Sequence, residues 1–267
     1  MKAYFSIFKM RLIAEMQYRT AAWAGISTQF FFGMIFIMVY TSFYKSSGGI
    51  DTMTITQLTS YLWLNQAFLA IIMVWSQDNV LLEKIARGDI SYELTKPYDL
   101  FKYWFASLSA RRLAAVSLRF LPIIIFSLLL PAPYGLSISP SIYNLLLFII
   151  SISLSLFLNT AISMYIYILT FKTLSPYASK MLMIILSEFL MGALIPIPLM
   201  PDLLQKIVNF FPFRYVSDLP FRIYSGNLSL NSSLIQIVIQ IIWIIVLVFV
   251  GKKLLNKVLK KVVIQGG

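Results

Sequence analysis

Glu188 is the single carboxylate in MLMIILSEFLMGALIPIPL, residues 181–199. A carboxylate in hydrocarbon costs roughly 2.5–3.5 kcal/mol on insertion scales, so it has to face a bundle interior, a partner or water. There it can hold a basic residue such as Arg119 in a structural ion pair, line a transport path, or carry a proton; the residues leave all three open. The same stretch carries Gly192, Pro196 and Pro198, which end or kink a helix and could form a bent gate, provided neighbours satisfy the freed backbone carbonyls. The densest charge lies elsewhere, in LLEKIARGDISYELTKPYDL, residues 81–100, with Glu83, Lys84, Arg87, Asp89, Glu93, Lys96 and Asp99. Its chemistry is ion pairing and docking. The chain has no cysteine and no histidine, which removes thiolate nucleophiles, sulfur-ligated metals and the commonest general base. A membrane enzyme would have to work with Ser, Asp or Glu, and Asp202 and Asp218 are the only acids in the 201–227 region.

The elements that position these residues are apolar. Of the 267 residues, 59% are hydrophobic and 12% charged, against about 25% charged in an average soluble domain. The excess needs a bilayer as solvent. The expected architecture is an all-α polytopic membrane protein, a single domain over 1–267, with spans at about 21–43, 57–77, 113–131, 142–168, 181–199 and 234–251. The first twenty residues are interrupted by charge and are not expected to act as a cleavable signal. The net charge of +12 is spread over the ends of apolar runs, which points to membrane anchoring and away from nucleic acid. With the N-terminus, the second and fourth loops and the C-terminus on one side, that side collects eighteen of the 22 lysines and arginines, Lys261 among them; Lys45, Lys206, Arg214 and Arg222 fall on the other. The biased side is cytoplasmic by the positive-inside rule.

Local signals shape the charged segment into a knob. Glu83 and Arg87 are four apart with the acid first, a favourable helical pair. Gly88 suits the left-handed turn that closes a helix. Asp89 or Ser91 can cap a second short helix, which Lys96-Pro97 ends. Tyr98, Tyr103 and Trp104 are then expected at headgroup depth. A helix connection needs only about 2–8 residues, so residues 78–99 exceed a connector and suit a soluble partner. On the far side, Leu203, Leu204, Ile207, Val208, Phe210 and Phe211 recur at helical spacing before Pro212 and Pro220. This predicts an interfacial or re-entrant helix, with Phe210 and Phe211 as gate candidates. Ser151, Ser153, Ser155, Asn159, Thr160 and Ser163 mark one helix for close packing, within the bundle or against another subunit.

Three features together resemble the permease subunits of ABC exporters, in the family with a six-span core and no attached ATPase: the basic segment before span one, EKIARGDISYELTKPYD after span two, and the outer region from Pro196 and Pro198 to PFRYVSDLPFRIYSG. The resemblance implies an export permease in the cell membrane, with both termini cytoplasmic and an N-terminal elbow helix. It also implies a coupling helix after span two, carried here by Glu83, Arg87, Gly88, Asp89, Lys96 and Pro97, seated in a cleft of a separate ATPase. The implied partners are ABC ATPase subunits, a second permease chain and lipid, with no nucleic acid. No cofactor is expected in this chain: ATP and magnesium would belong to the ATPase, and the sequence has no G-x-x-x-x-G-K-[ST] phosphate loop. The alternative is a proton-coupled secondary transporter using Glu188, although such folds usually carry inverted repeats. A non-transporting scaffold is the remaining reading.

Overall fold

The computed structural model describes residues 2–46 and 52–260; Lys261, counted above with the basic tail, lies outside them. Among the described residues every regular element is helical. The order is α1 (Lys2–Glu15), α2 (Arg19–Ser46), α3 (Ile55–Ala67), α4 (Leu69–Ile72), α5 (Asn79–Arg87), α6 (Ser91–Leu94), α7 (Leu100–Leu129), α8 (Ile142–Thr173), α9 (Pro176–Leu190), α10 (Asp202–Phe210), α11 (Asp218–Tyr224) and α12 (Leu230–Leu259). Short 3-10 turns at Ile197–Leu199 and Pro212–Tyr215 flank α10.

Four helices, α2, α7, α8 and α12, are long and apolar enough to cross a membrane. At about 1.5 Å per residue each exceeds the roughly 30 Å hydrocarbon thickness. The other two expected spans are short. The second is split at Phe68, whose φ of −103° and ψ of 16° leave the helical region, and α4 stops at Ile72, so the expected 57–77 helix is two pieces followed by a non-helical strap. The fifth ends at Leu190 rather than near residue 199, because Gly192 turns left-handed at φ 72° and the prolines beyond it cannot resume the ladder. The third starts early: α7 runs unbroken from Leu100, capped by Asp99.

The central helix is α8, which packs against α12, α11, α9 and α7. Its small polar face is turned inward: Ser151, Ser155, Asn159, Thr160 and Ser163 are fully buried. Ser151 donates to Gln240 Oε1 at 3.0 Å, and Ser155 donates to the Tyr215 carbonyl at 3.2 Å. These residues therefore pack the bundle itself rather than a subunit interface. Ser153 points away and bonds the Ile149 carbonyl of its own helix.

The connections sort into two ends. At one end, α1 lies along α7, with Arg111 Nε donating to Glu15 Oε1 at 2.9 Å. Lys252 near the end of α12 meets Asp99 at 2.7 Å, and Lys180 at the start of α9 donates to Asn79 at 2.8 Å. At the opposite end, Asn227 donates to the Thr52 carbonyl, Trp63 to the Tyr134 carbonyl, and Asn144 to the Ile223 carbonyl.

Candidate functional site

The knob begins at α5. Asp78 caps it by accepting from the Leu81 N–H, and Leu82 and Ile85 form its buried face against α8 and α9. The opposite face is open: Glu83 and Arg87 pair at 3.8 Å with side chains 62% and 73% exposed. Gly88 closes the helix at φ 81°, and a Cβ added there would meet nothing within 4 Å. Asp89 and Pro97 are exposed. The expected cap on α6 does not form: its N-cap is Ile90, which has no side-chain bond and instead plugs into the core. Burial beats capping at this turn because the chain needs one apolar anchor to hold the knob down.

Glu93, counted among the charges of this segment but given no role by the sequence, ties the knob together. It accepts from Lys96 Nζ at 3.0 and 3.1 Å and from Tyr98 Oη at 2.9 Å, and lies 3.8 Å from Lys84. Partial burial works against its charge, but the hydrogen bonds from Lys96 and Tyr98 outweigh it and hold the carboxyl below the usual range. Burial and the bond to Glu93 push the Tyr98 hydroxyl up to about 12. Tyr98 stacks on Tyr103 with centroids 4.6 Å apart. Trp104, expected at headgroup depth beside Tyr98 and Tyr103, is buried against Tyr167.

From α5 the chain runs back through the non-helical strap of residues 73–77, which turns at Val74 and Trp75, to the broken helix. Short helix α4 leaves free carbonyls at its end, and inside an apolar bundle such groups need donors from the protein. Side chains from α7 and α8 satisfy them. Arg112 donates to the carbonyls of Met73 at 2.6 Å and Ile71 at 3.3 Å, and to Ser163 Oγ at 2.6 Å. Asn159 donates to the carbonyls of Ile71 at 2.5 Å and Ile72 at 2.6 Å. Arg111 holds the Gln77 carbonyl at 2.9 Å, and the Asp78 N–H donates to Tyr167 Oη at 3.1 Å. Arg112, grouped with the basic flank on composition, is thus completely buried. It is a cation at a helix C-terminus, where the backbone dipole favours it.

A second break mirrors the first. Beyond α9, the Gly192 carbonyl accepts from Tyr61 at 3.1 Å, that of Ala193 from Asn65 at 3.1 Å, that of Leu194 from Tyr40 at 2.6 Å, and that of Met191 from Ser217 at 2.5 Å. Pro196 leads into the 3-10 turn, and the buried Pro198 offers its carbonyl to Thr52 at 2.9 Å. Next to this break α11 enters the bundle against α8 and α3, with Leu219, Phe221 and Ile223 fully buried. Its first residue, the buried Asp218, lies 3.5 Å from Arg214 of the preceding 3-10 turn and 3.7 Å from the part-buried Arg222. Within the far-side region α11 is packed into the bundle, while α10, the helix expected over residues 203–211, lies at the surface with Leu203 and Phe210 exposed.

Between the two breaks lies a cavity of about 360 Å³. Gln66 and Met73 border it from the first break, Ala193 and Leu194 from the second, and Phe32 and Phe36 from α2. Arg119 and Glu188 both face it, yet no ion pair joins them. Of the expected path and gate residues Glu188 lines it, whereas Gly192, Pro196, Pro198, Phe210 and Phe211 do not. Arg112, Asn159, Glu93 and the Tyr40–Tyr61–Asn65 set were missed as functional groups. The only available signal was polar residues inside apolar runs, which does not say what they hold.

Four long apolar helices around a buried polar core, with two shorter helical segments broken beside a cavity, have the build of a multi-pass membrane protein. A family model described as ABC-2 family transporter protein matches residues 28–266, and the chain belongs to that family as an ABC transporter permease. Among curated proteins and solved structures, none matches it.

Proposed function

We propose that this chain is the membrane half of an ATP-driven exporter, worked by separate ATPase subunits that grip the knob at α5–α6. The supporting observation is continuity. The exposed Glu83–Arg87 face is joined through Asp78, Gln77 and Met73 to the helix break at Ile71–Ile72, and the cavity opens beside it. A push on the knob acts on the strap, and the strap is held at several points by α7 and α8. In this reading the basic end is cytoplasmic, in keeping with the lysine and arginine bias. The chain crosses the cell membrane six times, with α3–α4 and α9 as the short crossings. A second permease chain, identical or similar, completes the path, and ATP and magnesium are bound by the ATPase.

The test is co-purification with an ATPase expressed alongside. Wild type should retain it, while Arg87→Glu and Gly88→Pro should lose it without loss of folded chain. Nucleotide-independent transport by the isolated chain would overturn the reading. Proton coupling through Glu188 draws support from the place of this residue on the cavity wall. Transport that persists under an imposed pH gradient in Glu188→Gln removes that alternative.

A further inference from the structure

The cavity between the breaks holds two charges of opposite sign that the protein does not use. Neither Arg119 nor Glu188 makes a hydrogen bond or ion pair with any described residue. Arg119 Nε and the Oε1 of Gln29 are buried without partners, and Gln29 is only 4% exposed. The guanidinium lies against Gly25, where an added Cβ would come within 2.8 Å of Cζ, so the wall of α2 is hollowed at that point. The remaining lining is largely apolar and includes the half-exposed rings of Phe32 and Trp75. Unpaired charges in apolar surroundings are strongly unfavourable, and a volume near 360 Å³ falls in the range of small-molecule sites.

We infer that this cavity binds a zwitterionic amphiphile, a single apolar tail whose headgroup carries an anionic group for Arg119 and an amino group for Glu188. A ligand with one charge would satisfy one side chain and meet the like charge of the other. A neutral apolar ligand would leave both unmatched, together with the acceptor on Gln29. The inference rests on the permease reading only in treating the ligand as cargo; binding itself requires neither ATPase nor nucleotide.

The experiment is equilibrium binding to the purified full chain in maltoside micelles, without ATPase. The probes are lauroyl lysophosphatidylethanolamine, dodecyl sulfobetaine, dodecyl phosphate and dodecylamine. Saturable binding of a zwitterion at least tenfold tighter than either singly charged probe is expected. Binding of both zwitterions would identify the charge pair as the recognised feature, and binding of the phospholipid alone would narrow the class to lipids. Arg119→Gln and Glu188→Gln should each weaken zwitterion binding about tenfold, and Glu188→Gln should tighten dodecyl phosphate. Equal affinity for singly charged probes, no saturable zwitterion binding, or unchanged affinity in both folded variants would overturn the inference. The probe series on the unaltered chain decides the matter if a variant fails to fold. Failure here leaves ATPase association untouched, and loss of ATPase association leaves this binding untouched.

Discussion

Arg112 and Arg119 sit on the same helix seven residues apart and have opposite situations. Arg112 is wholly buried and donates to two backbone carbonyls and a serine. Removing it strands the Met73 carbonyl, and a buried unsatisfied acceptor costs about 1–3 kcal/mol. Arg112→Met is therefore expected to lower the thermal unfolding midpoint of the purified chain clearly, while Arg119→Met, which breaks no side-chain hydrogen bond or ion pair among the described residues, should leave it unchanged or raise it. Equal losses would show that the guanidinium at position 112 does not brace the break. Glu93 offers a pH test at the same scale. Its folded pKa lies below the ordinary 4.5, so its contribution is fully present above that value and fades as pH falls through the lower folded one. Protection from hydrogen exchange across residues 81–100, corrected for the intrinsic pH dependence of amide exchange, should fall as the solution is acidified past the ordinary glutamate range. Glu93→Gln should exchange faster at neutral pH and lose that dependence.

Two glycines distinguish kinds of turn among the elements. Both Gly88 and Gly192 have positive φ, at 81° and 72°. Side chains in that region cost roughly 1–2 kcal/mol. At Gly88 there is nothing for a Cβ to strike, so Gly88→Asn should be tolerated, and Gly88→Val should disturb the α5–α6 angle while leaving the bundle intact. At Gly192 a Cβ would come 2.8 Å from Ile197 Cγ1 and 3.1 Å from the Tyr61 hydroxyl. Gly192→Ala should thus destabilise the whole chain more than Gly88→Ala does, measured by thermal unfolding. Gly88 substitutions should instead be read out as weaker ATPase association.

At the scale of the molecule, the ends decide the mechanism. The knob, α1 and the end of α12 meet at one end through Asp99, which is bonded to both Tyr4 and Lys252. The loops around Asn227 and Thr52 meet at the other. The chain contains no cysteine, so single cysteines report cleanly on sidedness. A cysteine replacing Asp89 should react with a membrane-impermeant maleimide only from the cytoplasmic face, and one replacing Leu203 on α10 only from outside. The reverse pattern would put the knob out of reach of any ATPase. The exposed apolar surfaces of α2 and α12 are large enough for lipid or a second chain. Crosslinking of cysteines on α2 between copies would identify which helix faces a partner.

The amino-acid sequence alone determined what depends on near neighbours and on average polarity. Uncharged runs required a bilayer, the lysine and arginine pattern grouped the loops, and Glu83, Arg87 and Gly88 lie within one helical turn and its stop, where backbone geometry is set locally. Hydropathy does not register bends, so the apolar runs at 57–77 and 181–199 read as whole spans. Tertiary structure decided how those breaks are tolerated, because the groups that satisfy them come from far away in the chain: Arg112 is 41 positions from Ile71, Asn159 is 88, and Asn65 is 128 from Ala193. A carbonyl left free inside an apolar bundle must find a donor in space, and only packing brings that donor within reach.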